Sequence, residues 1–219
     1  MKNLLYLGFL LLIASTSNTA YSQIQLMNEI CISPPTIKND NPVDLYSFLL
    51  SSLEYPVNSL NNKIEGTEVV RFSVSTSGTI EDITVINSVS REIDREIIRV
   101  LQNTSGNWEP GTIDGEPLKM VRELSLSFVL DSYKDMLKTA QKFIQKGNRL
   151  MYAKNKPGRA LHYYNKASIL FPNEEGVLIP RKYCLDRLGR TSEANEVNER
   201  MEFLAEQNKS VMVPFGENF

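Results

Sequence analysis

The hydrophobic pattern changes period near residue 131, and that change limits the folds open to the chain. Before it, Val70, Phe72 and Val74 alternate with Arg71, Ser73 and Ser75. A period of two gives a strand one buried face and one wet face. After residue 131 no strand signal is left, and apolar residues recur at the three-to-four spacing of helices. A chain that does one and then the other predicts an α+β unit followed by an all-α part.

The first part occupies residues 43–130. Leu45, Phe48, Leu49, Leu50 and Leu53 recur at helical spacing, with Asp44 able to cap and Tyr55-Pro56 placed to stop the helix. Thr76-Ser77-Gly78 separates the first strand from Ile80, Ile83, Val85 and Ile86, so residues 68–87 predict a hairpin. Ile93, Ile97, Ile98, Val100 and Leu101 form the stripe of a helix over 91–103, ended by Asn103, Ser105 and Gly106. A loop through Trp108, Pro110-Gly111 and Gly115 leads to a last strand over 119–130. There Val121, Glu123 and Ser125 share one face, while Arg122, Leu124, Leu126 and Phe128 share the other. The order helix, strand, strand, helix, strand predicts a small antiparallel sheet with helices covering one face.

The all-α part occupies residues 132–209. Its breaks at Lys156-Pro157-Gly158, Phe171-Pro172-Asn173 and Gly189-Arg190-Thr191 predict helices over 132–153, 158–171, 175–188 and 191–208. These form two helical hairpins of nearly equal length. Residues 210–219 are left as a short tail.

At the other end, Lys2 precedes an apolar run over 4–14, which is short of the ~20 residues a membrane-spanning helix needs. Ala20 and Ser22 are small residues at the spacing of a cleavage site, so residues 1–22 predict a signal peptide cut after Ser22. The mature chain is then periplasmic; the alternative is an uncleaved anchor in the inner membrane. Residues 23–42, with Pro34-Pro35 and Asn39-Asp40-Asn41-Pro42, are expected to be a linker. Of the two cysteines, Cys31 falls in this linker, and Cys184 falls on an apolar helical face beside Leu185 and Leu188. They can pair in only one way, or Cys184 is a buried free thiol.

Residues 45–130 resemble the TonB C-terminal domain family. The carrying residues are Tyr55-Pro56, Ile64-Glu65-Gly66-Thr67, the strand from Val69 through Val74, and Gly78-Thr79-Ile80. They continue through residues 85–88, Asp94, Glu96, Trp108-Glu109-Pro110-Gly111 and Phe128. Their order and spacing carry the resemblance, since no single motif among them is specific. The resemblance implies recognition of a protein or peptide partner, with an outer-membrane transporter as the family's partner. It implies that the last strand offers its edge to an extended peptide, here residues 119–127. Tyr55, Pro56, Lys119, Val121, Arg122, Glu123, Leu124 and Ser125 are the partner-binding candidates. The tail begins so soon afterwards that it could cover this edge instead. Energy-transducing members of the family carry an inner-membrane anchor and a long Pro-rich spacer. Here the apolar run looks cleavable, and the stretch 23–42 reaches ~70 Å at most.

The tail resembles tetratricopeptide repeats. Gly147-Asn148, Tyr152, Ala160-Leu161, Tyr164, Ala167 and Pro172-Asn173 fit one repeat, with one extra residue in the turn. Leu188-Gly189-Arg190 and Glu193-Ala194 fit the middle of a second, and Asn198 stands where an aromatic is typical. Two repeats bury little core, so the tail is expected to pack on the first domain or on another subunit.

The net charge of −2 offers no electrostatic footprint for nucleic acid. His162 is the single histidine and falls on a helix beside Tyr163 and Tyr164, while the two cysteines are far apart. No metal site, cofactor loop or catalytic constellation is nominated, and the chain is expected not to be an enzyme. The leading expectation is an exported interaction module. The alternatives are a TonB-type energy transducer held by its N-terminal segment, and a structural subunit that uses the repeats to form homo-oligomers.

Overall fold

The computed structural model describes residues 31–38 and 45–210; the expected signal peptide, the Asp44 cap and the 211–219 tail lie outside the described residues. The elements are β1 (Ile32–Ser33), β2 (Thr36–Ile37), α1 (Leu45–Ser52), α2 (Val57–Asn61), β3 (Gly66–Val74), β4 (Ile80–Asn87) and α3 (Arg91–Asn103). They continue with β5 (Trp108–Glu109), β6 (Gly111–Ile113), β7 (Glu116–Leu118), β8 (Met120–Phe128), α4 (Tyr133–Asn148), α5 (Pro157–Leu170), α6 (Glu175–Arg187) and α7 (Thr191–Ser210). The fold is α+β with an all-α tail.

β3 is the middle of a three-stranded antiparallel sheet in the order β4-β3-β8. The β3–β8 ladder runs without a break from Gly66 opposite Phe128 to Val74 opposite Met120. Val70, Phe72, Val74, Leu124, Leu126 and Phe128 point to one side and meet Ile93, Ile97, Val100 and Leu101 of α3 in a core that also holds Leu49 and Trp108. Each of these side chains gains about 1.5–3 kcal/mol by leaving water. α3 forms where the apolar stripe sets it, and Ser90 caps it by accepting from the Ile93 N–H at 3.2 Å. The β3–β4 turn needs Gly78, whose φ is +79°; a Cβ there would lie 2.1 Å from the Trp108 carbonyl oxygen.

The expected wet face of β3 is a correction: it is covered. Val69 and Ser73 are buried and Arg71 is half-buried, because the helical tail lies across this face. The Thr67 hydroxyl donates to the Leu170 carbonyl at 2.7 Å, and a Cβ on Gly66 would lie 2.8 Å from the Ile169 carbonyl oxygen. The sheet is thus sandwiched between α3 and the tail. The tail gains the apolar partner that two helical hairpins lack by themselves.

Within the tail, α4 to α7 pack in sequence around Leu161, Tyr164, Leu178, Cys184, Leu185 and Val197. Arg149–Ala153 is a π-helical turn that continues α4 and absorbs extra chain ahead of Pro157. Cys184 is a buried free thiol near the Met151 sulfur at 3.6 Å, and Cys31 is free and exposed. His162 is exposed on α5.

Residues 31–38, inside the stretch expected to be a linker, pair with the domain. β1 pairs with β6, and β2 pairs with β5. Backbone bonds add to this: Asp114 N–H donates to the Cys31 carbonyl and Lys38 N–H to the Asn107 carbonyl, each at 2.8 Å. The expected loop at Trp108–Gly115 also holds strands, since β6 and β7 form a hairpin around Asp114 and Gly115, both with positive φ.

Candidate functional site

The sheet has two edges, and β8 forms the one named by the sequence. Among the described residues β8 pairs only with β3, so its outer row of backbone donors and acceptors faces away from the sheet without a ladder partner. Two grooves flank that row. One, of about 390 Å³, is walled by Ile32, Pro34 and Pro35 of the arm, by Met120 through Glu123 of β8, and by Phe203, Leu204 and Gln207 of α7. The other, of about 230 Å³, lies at the far half of the strand, between Leu53, Glu54 and Tyr55 and residues 126–129.

The described part of the tail covers a face of β8 and adds no ladder to its edge. Its contacts go to odd-numbered residues, which share one face. Arg200 donates to both oxygens of the Glu123 carboxylate, and Asn173 Nδ2 donates to Ser125 Oγ at 3.3 Å. Arg71 donates to Glu123 from the neighbouring strand at 3.1 Å, and its guanidinium stands 4.1 Å from the centre of the Phe203 ring.

The candidates named from sequence divide accordingly. Val121 is 57% exposed and lies in the larger groove with Arg122, whose Nε is buried without a hydrogen-bond partner and which forms no ion pair among the described residues. Tyr55 lines the smaller groove and donates its hydroxyl to the Ile64 carbonyl. Burial and the nearby Glu65 raise the pKa of that phenol, so it stays a donor. Pro56 sits at the N-cap of α2 instead of simply ending α1. Leu124 is 2% exposed and belongs to the core; only its backbone can reach a partner. Glu123 and Ser125 are engaged by the tail. Lys119 reaches back over β3 to Asp82 and Glu81, whose hydrogen bonds raise its pKa to about 12.

Sequence reasoning missed the walls of the edge. Ile32, Pro34 and Pro35 stood in a presumed linker, and Phe203 and Leu204 in a tail with no assigned neighbour. Pro34-Pro35 was the available signal, because a prolyl pair favours an extended arm that can lie beside a sheet.

No group of three or more His, Cys, Asp or Glu side chains able to hold a metal occurs among the described residues, and no described helix is long and apolar enough to cross a membrane. Among the described residues, the one strongly perturbed carboxyl lies elsewhere. Burial pushes Glu68 up to about 8, against a hydrogen bond from the Val89 N–H at 2.8 Å, and Asp94 adds to the rise. It is buried and lines neither groove.

The fold is a small antiparallel sheet whose β8 edge has no ladder partner among the described residues. Residues 51–130 match the family described as Gram-negative bacterial TonB protein C-terminal. The match ends where the helical tail begins. Among solved structures, the chain is similar to the solution structure of the C-terminal domain of Helicobacter pylori TonB. The identity is 17%, the TM-score 0.31, and the alignment covers 39% of this chain and 89% of that one. No curated protein matches the chain.

Proposed function

We propose that the chain is an exported envelope protein that binds an extended peptide of a partner protein along the outer edge of β8. The observation that carries this reading is the edge itself: a nine-residue strand with a ladder on one side only among the described residues, with one groove beside residues 120–123 and another beside residues 126–129. An added strand would satisfy the outer backbone groups, and the grooves would take its alternate side chains. Val121, Arg122 and Tyr55 would supply side-chain contacts; Lys119, Pro56, Glu123, Leu124 and Ser125 would hold the strand in place. The match to the TonB C-terminal family supports a partner in the envelope. The helical tail, read as tetratricopeptide-like, braces the sheet and leaves its outer helix faces as a second surface.

A pull-down from envelope extract tests the reading, using the wild-type chain and Val121→Pro, each first shown to unfold cooperatively. Strand addition predicts loss of the captured protein with the variant and slowed amide exchange over 120–128 in the wild-type complex. An unchanged set of captured proteins with unaltered exchange would sink it. Mass spectrometry of the mature N-terminus separates export from retention as an energy transducer, since an intact Met1 favours the latter.

A further inference from the structure

Two unlike walls flank the first half of the β8 edge. Met120 and Arg122 share the face on which the arm lies; Met120 Sδ and Pro35 Cδ are the two atoms nearest to where a Cβ on Gly111 would stand. Val121 and Glu123 share the face of α7, where the Phe203 ring lies under the Arg71 guanidinium and Arg200 holds Glu123. The groove of about 390 Å³ takes in both walls. A strand added to this edge alternates in the same way, so its side chains go in turn to the arm wall and to the α7 wall.

The charges on the two walls are not alike. Among the described residues Glu123 is the only acid lining the groove, and Arg200 and Arg71 already donate to it. Arg122 is the only cation lining it, and its Nε–H is buried with no acceptor. A guanidinium does not escape by losing its charge, and a buried donor without a partner is costly. A carboxylate satisfies it best, since it accepts an Nε–H and an Nη–H side by side in one plane. We propose that the β8 edge selects an extended peptide with an acidic residue opposite Arg122, flanked on both sides by apolar residues that meet Val121, Phe203 and Leu204. The residue four places from the acid stands opposite Leu126, on the same face as Arg122. It meets the smaller groove beside Leu53, Tyr55 and Phe128 and is apolar as well.

The inference rests on the reading of β8 as a peptide-binding edge and names the peptide. The probe is fluorescein-labelled Leu-Ser-Thr-Val-Glu-Val-Thr-Ser-Leu, which reads the same from either end and so fits a strand added in either direction. Its binding to the full-length chain is followed by fluorescence anisotropy. Glutamine in place of the central glutamate should weaken binding about 10-fold, and lysine should weaken it further. Arg122→Gln, first shown to unfold cooperatively, should bind the glutamate and glutamine peptides alike. Arg122→Glu should prefer the lysine peptide, a reversal that a misfolded chain would not give. Equal binding of the three peptides to the wild-type chain, or binding of none, overturns the inference. If that equal binding is lost in Val121→Pro, only the acidic preference is wrong. If no peptide binds and the capture of envelope protein is the same with Val121→Pro, the edge reading falls as well.

Discussion

Arg200 grips both carboxylate oxygens of Glu123, donating at 2.7 Å from Nη1 and at 2.6 Å from Nη2. The two side chains are 10% and 13% exposed, so the pair is largely withdrawn from water. It joins the last helix of the tail to the edge strand of the sheet across a span of sequence that no local rule connects.

Removing one partner of such a pair leaves the other charge half-satisfied in a poorly hydrated place. Arg200→Ala should therefore destabilise the chain by about 3 kcal/mol in urea unfolding. Combining it with Glu123→Ala should cost less than the two single losses added together. Additive losses would mean that the tail is not held through this pair.

Gly78 and Gly115 both have positive φ, yet only Gly78 has a backbone atom in its way. Gly115→Ala should cost about 1 kcal/mol, the penalty of the left-handed conformation. Gly78→Ala must also push the Trp108 carbonyl aside and should cost about 3 kcal/mol or more. Thermal unfolding of the two variants compares these directly.

Glu68 links stability to pH. Its pKa is raised to about 8 in the folded chain, against an ordinary value of 4.5, so the native state keeps a proton that the unfolded chain gives up. The stabilisation is whole below pH 4.5 and falls as pH rises from there to about 8. Glu68→Gln copies the protonated form; it should remove this slope and be more stable by on the order of 2 kcal/mol at pH 8. Denaturation midpoints measured at pH 5 and pH 8 for both chains would show it. A parallel fall in both would assign the pH dependence to other groups.

The thiols should differ in access. Cys31 is exposed on the arm, while Cys184 is buried and its pKa raised by that burial. An alkylating reagent should label Cys31 alone in the native chain and both cysteines in urea. Native labelling of Cys184 would mean that the tail opens locally.

What could be read from the sequence was whatever is set by neighbours along the chain. α3 was legible at Arg91–Asn103 because the isoleucine stripe and the stop at Asn103, Ser105 and Gly106 are local signals. The tail helices were legible because Pro157, Pro172 and Gly189 punctuate them. The short helix after Pro56 was lost because a proline that ends one helix also starts another well. The β6–β7 hairpin carried an Asp114-Gly115 signal, but its strands are three residues each and one contains Pro117. The second covered face of the sheet was not legible at all. Thr67, Arg71 and Glu123 look like solvent-facing residues, and only the arrival of Leu170, Phe203 and Arg200 from far along the chain covers them. The outer edge was legible as a strand, and its walls, drawn from both flanking parts of the chain, were not.

The two ladders of β3 differ in regularity. On the β8 side every residue from Gly66 to Val74 has its own partner; on the β4 side the register shifts twice. Asp82 and Ile83 together stand opposite Phe72, with Asp82 at φ +53°. Such a bulged margin is a poor seed for a neighbouring molecule, whereas β8 carries no register shift against β3. Each molecule therefore offers one good template and one bad one. If copies meet through their sheets at high concentration, the contact is two-fold and closes on itself, so that aggregation stops at pairs before any fibre can grow.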